Sequence, residues 1–266
     1  MDEPPPILQA EGLGKVYPGG VRALAEASFA VRPSEFVAVI GRSGAGKSTL
    51  LRCLNRLVDP TEGRIVLDGD DVTRAHGARL RRLRQRVGMV FQQFGLVSRL
   101  TVLQNVLAGR LRFARSPWSH GASLVRCFSA ADAREAMSSL DLVGIADLAH
   151  KRASDLSGGQ QQRVAIARVL VQDPAVILAD EPIASLDPRS AAIVMDTLAD
   201  VCARTGVSIV VNLHQVDVAR SYATRMIGMR DGRIVHDGGT AGLDEAGVRS
   251  IYGGTAEPAR REEVAA

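Results

Sequence analysis

The sequence predicts an α/β fold: a largely parallel sheet with covered faces, an N-terminal antiparallel β subdomain and an inserted helical subdomain. Three observations predict it. Apolar runs of strand length alternate with helical stretches along the chain. One of these runs, Glu35-Phe36-Val37-Ala38-Val39-Ile40, enters the glycine-rich loop Gly41-Arg42-Ser43-Gly44-Ala45-Gly46-Lys47-Ser48-Thr49. Between residues 94 and 163 the strand signals give way to mostly helical ones.

In chain order, Ile7-Leu8-Gln9-Ala10-Glu11-Gly12-Leu13 and Ala27-Ser28-Phe29-Ala30-Val31 alternate apolar with small or polar residues. They bracket Tyr17-Pro18-Gly19-Gly20 and read as antiparallel strands joined by a loop. After the glycine loop, Thr49-Leu50-Leu51-Arg52-Cys53-Leu54 has helical character. The arginines of Arg79-Leu80-Arg81-Arg82-Leu83-Arg84-Gln85-Arg86 suit the solvated face of a helix with Leu80 and Leu83 turned inward. Nucleic-acid binding is the sharper alternative for that run, but aromatic residues make up only 4% of the chain and offer no stacking platform. Residues 130–142 are rich in helix formers. Then follow a helix over 160–171, a strand over 176–179, a helix over 189–203, a strand over 207–211 and a helix over 216–222. Residues 226–235 form a hairpin turning at Asp231-Gly232. This order gives one domain over 7–250, with its core in 7–93 and 164–240 and the helical subdomain in 94–163, followed by a flexible tail over 251–266. No internal repeat is visible.

An apolar content of 46% in 266 residues supports a well-buried core. The apolar runs fall far short of the ~20 residues that span a bilayer. The start, Met1-Asp2-Glu3-Pro4-Pro5-Pro6, is acidic and proline-rich where a secretory signal would be basic and then apolar, so a cytoplasmic location is expected. Cys53, Cys127 and Cys202 are far apart and lack metal-ligand spacing, which points to plain thiols. The formal charge is +4, with much of the excess in the arginine run.

The glycine loop fits G-x-x-x-x-G-K-[ST] and stands between a strand and a helix, as a phosphate cradle requires. Its amides and the helix N-terminus face a phosphate, Lys47 holds the β- and γ-phosphates, and the Ser48 hydroxyl ligates Mg²⁺. Asp180 and Glu181 leave the carboxyl end of Val176-Ile177-Leu178-Ala179, where ligands bind in open α/β sheets. There Asp180 can hold hydrated Mg²⁺ and Glu181 can polarise the attacking water, although a solvated acidic turn before Pro182 has the same composition. Ser157-Gly158-Gly159 precedes a long amphipathic segment and would cap its helix as an anion site, or serve as a plain cap. With a complete cradle already in the chain, a second anion site is most useful to a nucleotide on another subunit. A dimer with two ATP molecules at its interface follows.

Together these motifs resemble those of the ABC ATPases, the energy-supplying subunits of ABC transporters, over about residues 7–240. The resemblance implies the P-loop NTPase fold of that family, with a RecA-like core. It implies that Leu156-Ser157-Gly158-Gly159-Gln160-Gln161-Gln162-Arg163 is the signature sequence, with Ser157, Gly158, Gly159 and Gln160 pressing on the γ-phosphate in the partner's loop. Gln92, in Met89-Val90-Phe91-Gln92-Gln93-Phe94, matches the glutamine loop that contacts Mg²⁺ and water. His214 matches the switch histidine at the γ-phosphate, and Tyr17 the aromatic residue that stacks on adenine. Ser185-Leu186-Asp187 matches the loop that crosses the dimer interface.

Within that family, Asn212-Leu213-His214-Gln215-Val216-Asp217, Glu181-Pro182-Ile183-Ala184-Ser185-Leu186-Asp187-Pro188 and the segment 95–109 resemble the phosphonate-import ATPases. So does the long insert 110–128 with Pro117 and Trp118. The resemblance implies an ATP- and Mg²⁺-dependent homodimer that energises uptake from the cytoplasmic face of the cell membrane. It would bind two transmembrane permease subunits, be served only indirectly by an extracytoplasmic solute-binding protein without touching the cargo itself, and bind no nucleic acid. Phosphite, phosphate and methionine are alternative cargoes. A soluble ABC ATPase of DNA repair or translation would need a coiled-coil insertion or a second cassette, and a P-loop kinase would not need the signature motif, Glu181 and His214.

Overall fold

The computed structural model describes residues 4–113 and 128–253. Cys127, most of the 110–128 insert with Pro117 and Trp118, and the tail expected after Gly253 lie outside the described residues.

Two sheets carry the chain. The first pairs β1 (Leu8–Val16) with β2 (Arg22–Val31) and β4 (Glu62–Leu67), and β4 with β5 (Asp70–Asp71), all antiparallel. The second runs in the order β10 (Arg233–Gly239), β9 (Arg225–Arg230), β3 (Phe36–Ile40), β8 (Ser208–Asn212), β7 (Val176–Asp180), β6 (Val87–Val90). From β9 to β6 the neighbours are parallel, and β10 closes one edge as an antiparallel hairpin with β9.

β3, β7 and β8 are buried at every position, which is why β3 and the middles of β7 and β8 read as continuous apolar runs and not as alternating ones. The pleat sends successive residues to opposite faces. Val37, Val39, Leu178 and Val210 face the antiparallel sheet and α1 (Lys47–Leu54), whereas Ala38, Ile40, Ile177 and Val211 face the helical side. Arg225 fastens the layers by donating to Asp237, Glu35 and the Ala30 carbonyl.

The helical region comprises α3 (Val102–Leu107), a 3-10 turn over Ala108–Phe113, α4 (Ala130–Leu142) and α5 (Gly158–Leu170). Each α-helix starts with a capping box: Thr101 with Gln104, Ser129 with Asp132, and Ser157 with Gln160. Val106, Leu140, Val164 and Ile166 join this region to the sheet in one apolar cluster. The arginine run forms α2 (Gly77–Arg86), with Leu83 buried and the guanidinium groups outside. Then come α6 (Pro188–Thr205), capped by Asp187 and ended by left-handed Gly206, and α7 (Val216–Tyr222).

Besides the two-residue β5, three elements exceed the sequence reading. β6 is an edge strand of four residues whose Gly88 leaves room for Val169 of α5, so it carries little apolar signal. β4 buries only Ile65 and Leu67. Helix α8 (Glu245–Tyr252) runs across the domain limit expected at 250 because Ile251 is fully buried against Gly228.

Ile166 has no exposed surface and lies between α5 and the sheet. Replacing it by alanine is expected to lower the unfolding free energy by roughly 2–5 kcal/mol with an unchanged urea m-value, measured by equilibrium denaturation.

Candidate active site

The glycine loop is shaped by close backbone approaches. Gly41 and Gly46 have φ of 151° and 99°, and a Cβ on either would collide with a carbonyl, that of Met229 or of Ala23. Gly44, at φ 80°, faces open space. The loop is held from behind: the Gly232 amide donates to the Ala45 carbonyl at 3.1 Å, and the Ala25 amide to the Gly232 carbonyl at 2.9 Å. No side chain caps α1, so its first amides are left for an anion. Lys47 bends back over the loop and donates to the Gly41 and Arg42 carbonyls at 2.7 and 3.0 Å. Burial lowers its pKa below the usual lysine range, against the opposing charges of Glu181 and Asp180. Arg42, Ser43 and Gly44 are exposed, and Ala45 is buried beneath them.

The end of β7 presents Asp180 to this loop. Asp180 Oδ1 accepts from the Ser48 hydroxyl at 2.7 Å and from Asn212 Nδ2 at 2.9 Å, while Oδ2 accepts from Arg52 at 3.2 Å. Asn212 Nδ2 also lies 3.2 Å from Ser48 Oγ. The next residue, Glu181, has φ 51°, a left-handed conformation that a residue with a Cβ adopts at a cost. Its Oε1 lies 2.7 Å from His214 Nε2, on the segment between β8 and α7.

Tyr17 is half-buried, with its hydroxyl 3.5 Å from Thr49 Oγ1 and Lys15 Nζ 5.2 Å from its ring centroid. Gln92 is exposed just beyond β6. The loop around it is held by α5: fully buried Gln162 donates to the Phe91 carbonyl at 3.4 Å, and Arg168 donates to the Phe94 and Gly95 carbonyls at 2.9 and 2.6 Å. At the other end of α5, Ser157 is exposed and its hydroxyl caps Gln160 N at 3.4 Å. Gly158 abuts Leu186, and Gly159 abuts Ser190.

Lys47, Ser48, Asp180, Glu181 and His214 thus meet at the carboxyl ends of β3, β7 and β8, and Tyr17 adjoins the same loop. Ser157 to Gln160 form a separate cap, exposed at Ser157 and packed on residues 186–190 through Gly158 and buried Gly159. Sequence reading passed over Asn212, Arg52 and Gln162. Asn212 is a polar residue ending a strand with an apolar middle, and Gln162 a fully buried amide on an apolar helix face; both are signals that sequence alone offers only weakly.

The family model described as "ABC transporter" matches residues 24–184. A phosphonates import ATP-binding protein of Rhodopseudomonas palustris is 54% identical over 92% of this chain and 89% of its own length. Among solved structures, a part of an ABC transporter complex from Clostridium perfringens is 30% identical with a TM-score of 0.78, over 92% of this chain and 93% of that one. A dimeric ATP-binding cassette in a post-hydrolysis state, bound to ADP and Pi, is 33% identical with a TM-score of 0.71, over 88% of this chain and 98% of that one. With this sheet order, this phosphate loop and these relatives, the chain belongs to the ABC transporter family as one of its ATP-binding proteins.

Proposed function

We propose that the chain is the ATP-hydrolysing subunit of a bacterial ABC importer for phosphonates, acting as a homodimer on two permease subunits at the cytoplasmic face of the cell membrane. The observation that carries the hydrolytic reading is the contact of Glu181 with His214 one residue beyond the Ser48–Asp180 pair. The cargo reading rests on the similarity to phosphonates import ATP-binding proteins. No helix of the described residues is long and apolar enough to cross a membrane.

The residues present fit ATP and Mg²⁺. The uncapped N-terminus of α1, the open space at Gly44 and the ammonium of Lys47 suit a polyphosphate. The Ser48 hydroxyl and Asp180 carboxylate are hard oxygen donors, and Mg²⁺ is commonly held by one or two protein groups together with substrate phosphates. When bound, Mg²⁺ neutralises charge on the β- and γ-phosphates. Tyr17 would stack on the adenine from its place beside Thr49.

In hydrolysis Glu181 accepts a proton from the attacking water, and His214 orients the carboxylate and meets the γ-phosphate. Gln92 contacts the water from its exposed loop, and α5 couples that loop to the helical region. Ser157, Gly158, Gly159 and Gln160 are assigned to the γ-phosphate held by the second subunit, beside Ser185, Leu186 and Asp187. ATP then favours the closed dimer because it touches both subunits, and loss of the γ-phosphate removes that preference. The exposed surface from Gln92 to Leu100, which includes Val97, is assigned to the permease subunits.

Glu181→Gln is expected to reduce kcat for ATP by about 10²- to 10⁴-fold while nucleotide affinity stays within a few-fold, measured by phosphate release and by equilibrium binding. The same variant should elute from a sizing column as a dimer with Mg·ATP and as a monomer with ADP; a monomer in both would contradict the shared sites. In transporter reconstituted with its permease subunits and binding protein, phosphonate should stimulate ATP turnover, and Glu181→Gln should abolish the stimulation. Stimulation only by phosphite, phosphate or methionine would keep the ATPase and replace the cargo.

A further inference from the structure

Helix α8 meets the active site from a direction that the mechanism above does not use. Its last residue, Tyr252, donates its hydroxyl to the carbonyl of His214 at 3.0 Å. The next carbonyl, of Gly253, accepts from Arg42 Nη1 at 3.3 Å. Two consecutive residues therefore touch the backbone of the switch segment and the second residue of the phosphate loop. Burial pushes the Tyr252 hydroxyl above the usual tyrosine range, partly offset by the Gly41 backbone amide on the same loop.

The helix making this link is firmly seated. Asp244 caps its N-terminus, Ile251 is fully buried against Gly228 of β9, and Arg230 donates to the Ser250 carbonyl at 2.6 Å. Arg220 of α7 donates to the Leu243 carbonyl at 2.8 Å just before the helix begins. The segment carrying His214 is held on its strand side by Leu213, whose amide donates to the Val39 carbonyl at 3.0 Å, and it enters α7 through Gln215, which makes no side-chain cap. The hydrogen bond from this seated helix bears on where the His214 carbonyl sits, and with it on where the imidazole meets Glu181.

We propose that Tyr252 is a positioning residue for ATP turnover: through its hydroxyl and the adjoining Gly253 carbonyl, α8 sets the spacing between the His214 segment and the start of the phosphate loop. The inference rests on the hydrolytic reading of Glu181 and His214. It makes α8 part of the turnover machinery, acting through His214 without touching nucleotide.

The test uses the reconstituted transporter carrying wild type, Tyr252→Phe, His214→Ala or both changes. Phenylalanine keeps the ring packing and deletes the hydroxyl. Tyr252→Phe should lower kcat about 5- to 10-fold with KM for ATP within about twofold. Its melting temperature should stay within about 2 °C of wild type, which a purely structural role would not preserve. Over the residual turnover of His214→Ala, adding Tyr252→Phe should cost less than about twofold, because the hydroxyl acts through that residue. Wild-type kcat in Tyr252→Phe overturns the proposal, as does a loss that falls on KM or on melting temperature, or one that is fully additive with His214→Ala. A wild-type transporter that turns over no ATP overturns the hydrolytic reading itself and this proposal with it.

Discussion

The Asp180 carboxylate holds the site together. It is almost fully enclosed and accepts from a hydroxyl of α1, an amide of β8 and a guanidinium of α1, so one helix and two neighbouring strands converge on two oxygen atoms. A carboxylate taken from water in this way is tolerated only when its lone pairs are occupied and its charge is matched. That requirement fixes how far β7 and β8 project beyond the phosphate loop and keeps Ser48 turned toward Asp180. It also leaves Glu181 one residue beyond, where its direction is set by the turn and by its contact with His214.

Much of this architecture is written locally in the chain. β3 and the middles of β7 and β8 are legible because burial on both faces demands continuous apolar runs, and α2 because arginine on one side and leucine on the other match a helical period. β6 escapes because four residues at a sheet edge, one of them glycine, carry no period, and β4 because most of it faces water. The site divides in the same way. The glycine loop, the Asp180-Glu181 pair and the Ser157 cap depend on neighbours within a few positions and can be read from spacing. The partnership of Ser48 with Asn212 joins residues 164 positions apart, and that of Tyr252 with His214 joins residues 38 apart across an unforeseen helix. Only the packed fold reveals such pairs.

Helix α5 gives the molecule a mechanical unit. Its first residues carry the Ser157 cap, its middle holds Phe91 through Gln162, and Arg168 near its end grips the carbonyls of Phe94 and Gly95. An α-helix of 13 residues is about 20 Å long and bends little under such loads. Rotation of the helical region would therefore move the Ser157 cap and the Gln92 loop together, since both are fastened to one rod.

The backbone of Glu181 has a bearing on how such a chain could change over generations. A left-handed conformation costs a residue with a Cβ about 1–2 kcal/mol relative to glycine, which adopts it freely. Mutation followed by selection for folding alone would drift this position toward glycine or asparagine. On the hydrolytic role proposed for Glu181, stability and chemistry pull in opposite directions at this position. A cassette freed from hydrolysis, and kept only as a scaffold, would be expected to lose its glutamate at this position early.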